Sequence, residues 1–275
     1  MSVIYRDMTR EQLNTAYNNT EAVDDFPALL SKFRMKSSAL YSELVVQRDI
    51  YYHSSPRTKF DYFPGNKEKA PTFIFIHGGY WQNCNKEDFA FIARGIVNSG
   101  INVVFAEYTL APEASMTQIV TEIGLLLDYL QAHAHQFHIT PGQVCLGGHS
   151  AGGHLTTIHR DHPLISHAMP ISALVDLFPI SLCWLNNKLS LTPVEIEKYS
   201  SIKHLVRGVP TSVMVGGGEL PELIRQSKEL YSELLKIDAN VIYQEVGHYD
   251  HFTQLYEFER TDGIMVMALT DLLAR

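Results

Sequence analysis

Cysteine and basic charge are both scarce in this chain, and long apolar runs are missing altogether. The three cysteines, Cys84, Cys145 and Cys183, lie far apart. They are too few for a disulfide framework and too scattered for a zinc site, so they read as small buried hydrophobes. Lysine and arginine number 22 against 30 acidic residues, a formal charge of −8, and no dense basic run occurs. Neutralising phosphates takes a basic face, so neither a nucleic-acid nor a membrane partner is expected. No stretch reaches the roughly 18 apolar residues of a membrane-spanning helix. The opening "MSVIYRDMTREQL" is charged from Arg6 and has no apolar signal-peptide core. The expected location is the cytoplasm.

What the 275 residues do contain is a change of period along the chain. Up to residue 43 the pattern is helical, with Thr9 and Gln12 in "MTREQLNTAY" spaced as a capping box. Strands are then expected at 44–53, 59–64, 70–79, 101–108, 143–148, 167–172, 211–218 and 240–246, the first two as an antiparallel start. Helical patterns fall at 86–99, 115–134, 151–160, 222–236 and 263–274. Uniformly apolar strands alternating with helices indicate a mostly parallel, doubly wound sheet covered on both faces. The expected architecture is one α/β domain over 1–275, with 176–208 a small cap-like insertion.

The chemistry concentrates in "LGGHSAGGHL", residues 146–155. A strand, Gly-His-Ser-Ala-Gly and then a helix is the pattern of a nucleophile elbow, which lifts Ser150 clear of the sheet at a helix N-terminus. The turn is tight, so Gly148 and Gly152 must be small. A Gly-rich turn that binds nothing is the alternative, and the placement between strand and helix argues against it. "IHGGYW" (76–81) ends the third strand, where such folds build the second arm of an oxyanion hole. The expected donors are the backbone amides of Gly79, Tyr80 and Ala151, with Gly78 a further one.

Thirteen histidines make position decisive. On this fold the order is serine, acid, histidine, the last beyond the final strand. "VGHYDHF" offers His248 and His251, and His251, which opens a helical pattern, is the expected base. For the acid, "VGGGELPEL" presents Glu219 directly after a strand, with Glu222 as runner-up and Asp176 and Asp250 behind it. The carboxylate's task is to accept from the imidazole Nδ1 and fix its tautomer. Tyr80, Trp81, Phe178, Trp184, Tyr249 and Phe252 are near enough to these motifs to supply an apolar pocket, and about half are expected to be core instead. Trp81, Tyr249 and His149 are expected to bind substrate.

Together "HGGYW", "GHSAGGHL", "ISALVDLFPI", "GGGELPELIRQSKELY", "DHF" and the opening "MTREQLNTAYNN" resemble the kynurenine formamidase (arylformamidase) family of α/β-hydrolases across nearly the whole chain. The family's serine, acid and histidine fall on Ser150, Glu219 and His251, with Glu219 standing where the family commonly has aspartate. The resemblance implies hydrolysis of an N-formyl aromatic amide through an acyl-serine, with no metal or cofactor. The expected partner is a small, aromatic ester or amide, and a homodimer is allowed for. The competing readings are a carboxylesterase acting on short acyl esters and a non-catalytic binding protein on a hydrolase fold.

Overall fold

A computed structural model describes residues 2–237 and 240–275. The chain opens with a short antiparallel hairpin, β1 (Val3–Tyr5) and β2 (Met8–Thr9), which the sequence pattern does not announce. Helix α1 (Arg10–Ala16) starts with the expected capping box: Thr9 accepts from the Gln12 amide and Gln12 accepts from the Thr9 amide. Helix α2 (Phe26–Glu43) is capped by Asp25, whose side chain accepts from the Ala28 amide. The expected helix at 86–99 is a 3-10 segment over Lys86–Ile92 that continues as α3 (Ala93–Asn98).

Among the described residues the central sheet has eight strands. Its members are β3 (Gln47–Tyr51), β4 (Lys59–Phe63), β5 (Thr72–Ile76), β6 (Asn102–Ala106), β7 (Val144–His149), β8 (His167–Ile171), β9 (Thr211–Gly216) and β10 (Val241–Val246). Their spatial order is β10-β9-β8-β7-β5-β6-β4-β3. The β3–β4 and β4–β6 pairs are antiparallel and the rest parallel, as the sequence pattern requires. Between strands run α4 (Met116–Ala132), α5 (Ala151–His159), α6 (Leu177–Leu182), α7 (Asn186–Leu189), α8 (Pro193–Tyr199) and α9 (Pro221–Ile237), and α10 (Ile264–Leu273) closes the chain.

Alternation along the strands divides the interior into two layers. Phe73 and Phe75 of β5, with Val103 and Phe105 of β6, pack with Ile96 of α3 and Leu269 of α10. Ile74, Ile76, Val104 and Ala106 face the other way, onto Ile119, Ile123 and Leu126 of α4. Every one of these strand residues is buried on both faces, which is why the strands read as solid apolar runs rather than alternating ones. The segment 176–208, between β8 and β9, holds α6, α7, α8 and a short 3-10 turn. Among the described residues no helix is long and apolar enough to cross a membrane.

One polar group is set deep in this interior. His154, in α5, is fully buried with Nε2 donating to the Tyr199 carbonyl at 2.7 Å. Burial pushes its imidazole down to about 4, from an ordinary value near 6.5. Between those values the unfolded chain takes up a proton that the folded chain refuses. Stability is therefore lost as pH falls from about 6.5 towards 4, by about 3 kcal/mol for this group. The melting temperature is expected to drop between about pH 7 and pH 4.5, and His154→Gln, which can still donate to Tyr199, should drop less. An equal acid loss in both proteins would remove His154 from the account.

Candidate active site

Ser150 stands alone between β7 and α5 with φ 57° and ψ −114°. A non-glycine residue in this region costs about 1–3 kcal/mol and persists only where its surroundings enforce it. Two close approaches do so. A Cβ on Gly152 would run into the carbonyl oxygen of Ile76 at the end of β5, and one on Gly148 into the Gly152 carbonyl. The first turn of α5 is thus pressed against the strand ends, and the Ser150 amide is drawn to the Ile171 carbonyl at 2.8 Å.

The loop after β5 lies directly beside this turn. A Cβ on Gly78 would sit 3.2 Å from the Ser150 Cβ and 3.1 Å from His149 Nδ1. Gly79, Tyr80 and Trp81 then follow with φ of 113°, 57° and 59°. This run turns the Gly79 carbonyl back to accept from Gln82 and Asn83, both at 2.9 Å. The amides of Gly79 and Tyr80 donate to no described residue, and Ala151, first in α5, has no intrahelical acceptor. His77 holds the loop's base: its ring stacks on Tyr108 at 4.6 Å, with Nε2 3.0 Å from Glu107 Oε1. Burial works to raise the Glu107 carboxyl, but His77, Arg57 and the Lys86 amide hold it below the usual carboxylate range.

His251 faces the same space as Ser150, and its Nδ1 lies 2.6 Å from Glu219 Oε2. The other oxygen of Glu219 is held by three donors: the Gly216 amide at 2.8 Å, Gln254 Nε2 at 2.7 Å and the Ser172 hydroxyl. Gln254 also donates to the His251 carbonyl at 3.1 Å, as does His149 Nε2 at 2.7 Å. Nε2 of His149 therefore carries a proton, and burial, with His251 alongside, drives the His149 imidazole well below its usual range. His149 and His251 stand with ring centroids 4.4 Å apart. Ser172 and Gln254 escaped the sequence reading because neither residue type carries a motif here.

These groups open on a cavity of about 400 Å³, within the range of small-molecule sites. Gly79, Tyr80, His149, Ser150 and His251 line it, while Gly78 and Ala151 flank it without lining it. Of the six expected aromatic residues, Tyr80, Trp184 and Phe252 are on its wall. Trp81 and Tyr249, expected to bind substrate, are not. Trp81 is fully buried, edge-on to His154 at 5.1 Å, because the backbone turn at 80–81 sends it into the core. Tyr249 donates its hydroxyl to Glu257 at 2.6 Å, and its carbonyl accepts from the Gly218 amide, so it braces the loop after β10. Phe178 lies outside, against Tyr5.

The largest share of the wall unforeseen in the sequence comes from α2: Phe26, Leu29, Leu30, Phe33 and Arg34. Their spacing of three, four and seven is a helix stripe that was legible as amphipathic but carried no sign of what it covers. The N-terminal arm is fastened there by Tyr80, whose hydroxyl accepts from the Asn19 amide at 2.9 Å and donates to the Tyr17 carbonyl at 3.1 Å. The other candidates make contacts of their own. Glu222 takes the Tyr17 hydroxyl at 3.1 Å and Arg225 at 2.9 Å, Asp176 caps α6, Asp250 accepts from the Phe252 and Thr253 amides, and His248 is exposed. Among the described residues no group of three or more His, Cys, Asp or Glu is placed to hold a metal ion.

A strained serine, an imidazole tied to a buried carboxylate and free amides beside them are the parts that acyl transfer needs. Two variants probe the framework. Gly152→Ala should cost about 3 kcal/mol, because the added methyl meets backbone that cannot move away. Glu222→Gln should lower the melting temperature while leaving hydrolysis within about twofold; a hundredfold loss of turnover would instead make Glu222 part of the chemistry.

Comparisons with known proteins agree with this architecture. A family model described as BD-FAE matches residues 61–162, which run from β4 through the end of α5. A kynurenine formamidase of Danio rerio is 25% identical over 294 aligned positions, covering 98% of this chain and 99% of that protein. A kynurenine formamidase of Salmo salar is 28% identical over 75% of this chain and 74% of its own length. Among solved structures, a Silicibacter protein provisionally described as a thioesterase superposes with a TM-score of 0.85 at 24% identity, covering 94% of this chain and 99% of that one. The protein is thus a hydrolase of the α/β-hydrolase fold, similar over nearly its whole length to kynurenine formamidases.

Proposed function

We propose that the protein hydrolyses a small carboxylic amide through an acyl-serine, and that its preferred substrate is an N-formyl aromatic amine of the N-formylkynurenine type. The observation that carries this reading is the pairing of His251 with Glu219 on the wall of the cavity that also receives Ser150. In this scheme His251 takes the Ser150 proton as the hydroxyl attacks the formyl carbonyl. The amides of Gly79, Tyr80 and Ala151 receive the oxyanion, with Gly78 setting the loop's distance from the serine. His251 then protonates the departing nitrogen, and water, activated by the same imidazole, releases formate from the serine ester.

The aromatic part of the substrate finds matching walls in Phe26, Phe33, Phe89, Trp184 and Phe252. The relatives from Danio rerio and Salmo salar, both kynurenine formamidases, support the formyl amide over other acyl groups. A carboxylesterase for short acyl esters is the second reading, since the same machinery and the same apolar walls would serve it.

Purified protein assayed on N-formylkynurenine and on p-nitrophenyl butyrate separates the two. Deformylation much faster than ester cleavage is expected, and ester cleavage alone would leave the site assignment but overturn the substrate. Ser150→Ala should lower turnover of any substrate by several orders of magnitude. Glu219→Gln should cost at least about a hundredfold; a loss under tenfold would show that another group orients His251.

A further inference from the structure

The cavity wall is apolar or neutral except at one point. Of its lining side chains, only Arg34 belongs to the lysine and arginine class, and no aspartate or glutamate joins it. Arg34 follows Phe33 on α2, at the end of the stripe that roofs the cavity. Its Nε donates to Asp88 Oδ1 at 2.7 Å, while Asp88 Oδ2 accepts from the Asn85 amide at 3.0 Å. Asp88 is buried and both its oxygens are engaged, so it fixes one edge of the guanidinium. The terminal nitrogens of Arg34 donate to none of the described residues, and the side chain is 56% exposed.

The position of the charge agrees with this geometry. Burial pushes the Cys84 thiol, which lines the same cavity, up to about 12, with Asp88 adding to the rise and Arg34 opposing it. A planar guanidinium with its outer edge free is suited to a carboxylate, which it can hold with two parallel hydrogen bonds. A neutral aryl formamide or a short alkyl ester has no use for such a group. The chain's charge of −8 would, moreover, disfavour an anion that found no local partner.

We infer that Arg34 is a specificity-determining residue, which binds a carboxylate on the amine portion of the substrate while the formyl group sits at Ser150. Arg34 then discriminates between acidic and neutral members of the proposed substrate class. This inference rests on the amide-hydrolase reading above, but it concerns a residue outside the proposed acyl-transfer machinery.

The experiment compares wild type, Arg34→Gln and Arg34→Lys on two pairs of substrates. One pair is N-formylkynurenine and neutral formanilide; the other is 4-acetoxybenzoate and neutral phenyl acetate. Arg34→Gln should lower kcat/KM for N-formylkynurenine by about ten- to a hundredfold, mostly through KM, and leave formanilide within about twofold. Arg34→Lys, which keeps the charge and loses the fork, should fall between. Equal losses on both members of a pair, or no loss on the acidic member, would overturn the inference. If wild type cleaves the esters and neither formamide, the amide reading fails, and Arg34 is then decided by the ester pair alone. Melting temperatures within about 2 °C of wild type would confirm that loss of the partly exposed Arg34–Asp88 pair is not being read as a folding defect.

Discussion

Everything at this site depends on how closely the first turn of α5 approaches the ends of β5 and β7. The carbonyl of Ile76 occupies the space in which a side chain on residue 152 would stand, and the Gly152 carbonyl does the same to residue 148. With both positions emptied, the backbone can cross from strand to helix in a single residue, and that residue is forced to positive φ. The hydroxyl of Ser150 is then delivered to the cavity at the N-terminal end of a helix dipole, next to an amide that the helix cannot satisfy itself. The same approach brings the Gly78 backbone alongside, so the loop after β5 and the turn after β7 form one wall.

A second tier of contacts converts this local strain into a defined cavity. The left-handed run at Gly79, Tyr80 and Trp81 sends successive side chains in different directions: Tyr80 to the cavity wall, Trp81 to the core. The Tyr80 hydroxyl then closes on backbone at Tyr17 and Asn19, so the loop that presents free amides also anchors the N-terminal arm. The arm is held from its other side as well, with Arg10 donating to the Leu182 carbonyl and Asn14 accepting from the Trp184 amide. Beyond these ties, α2 lies over the 3-10 segment at 86–92 through Phe33 against Phe89 and Phe91. The roof of the site is therefore made mainly by the first helices of the chain, with Trp184 the contribution of the segment between β8 and β9.

How much of this could be read beforehand follows from the range of the interactions. Strand runs, the Thr9 capping box and the elbow glycines are local patterns, and all appear where the sequence places them. The nearness of His251 to Glu219 follows chain order, which on this fold narrows thirteen histidines and thirty acids to a few positions after the last strands. Side-chain direction was not legible. Nothing in "HGGYW" says that two non-glycine residues take positive φ, so Trp81 looked as available to a substrate as Tyr80. The roof was invisible for a similar reason: an amphipathic stripe at 26, 29, 30 and 33 reports that something is covered, not what. The 3-10 geometry of 86–92, with its Asn85–Asp88 cap and its packing against α2, leaves no mark in the periodicity.

Glu219 shows how a glutamate, one methylene longer than aspartate, is fixed at a strand end. β9 ends at Gly216, and the chain turns immediately, with the Glu219 amide donating back to the Gly216 carbonyl at 3.2 Å. The side chain is thereby folded over the end of its own strand, and the Gly216 amide takes Oε1 at 2.8 Å. A side chain one methylene longer has one more rotor to immobilise, and the cost is met by giving that oxygen three donors instead of leaving it to solvent. With Oε1 held on three sides, Oε2 has a single direction left, towards His251 Nδ1. Gln254 and His149 fix the same histidine from behind by donating to its backbone carbonyl. The orientation of the imidazole is thus set twice, once through its ring and once through its carbonyl, by residues drawn from β7, β9 and the segments after β8, β9 and β10.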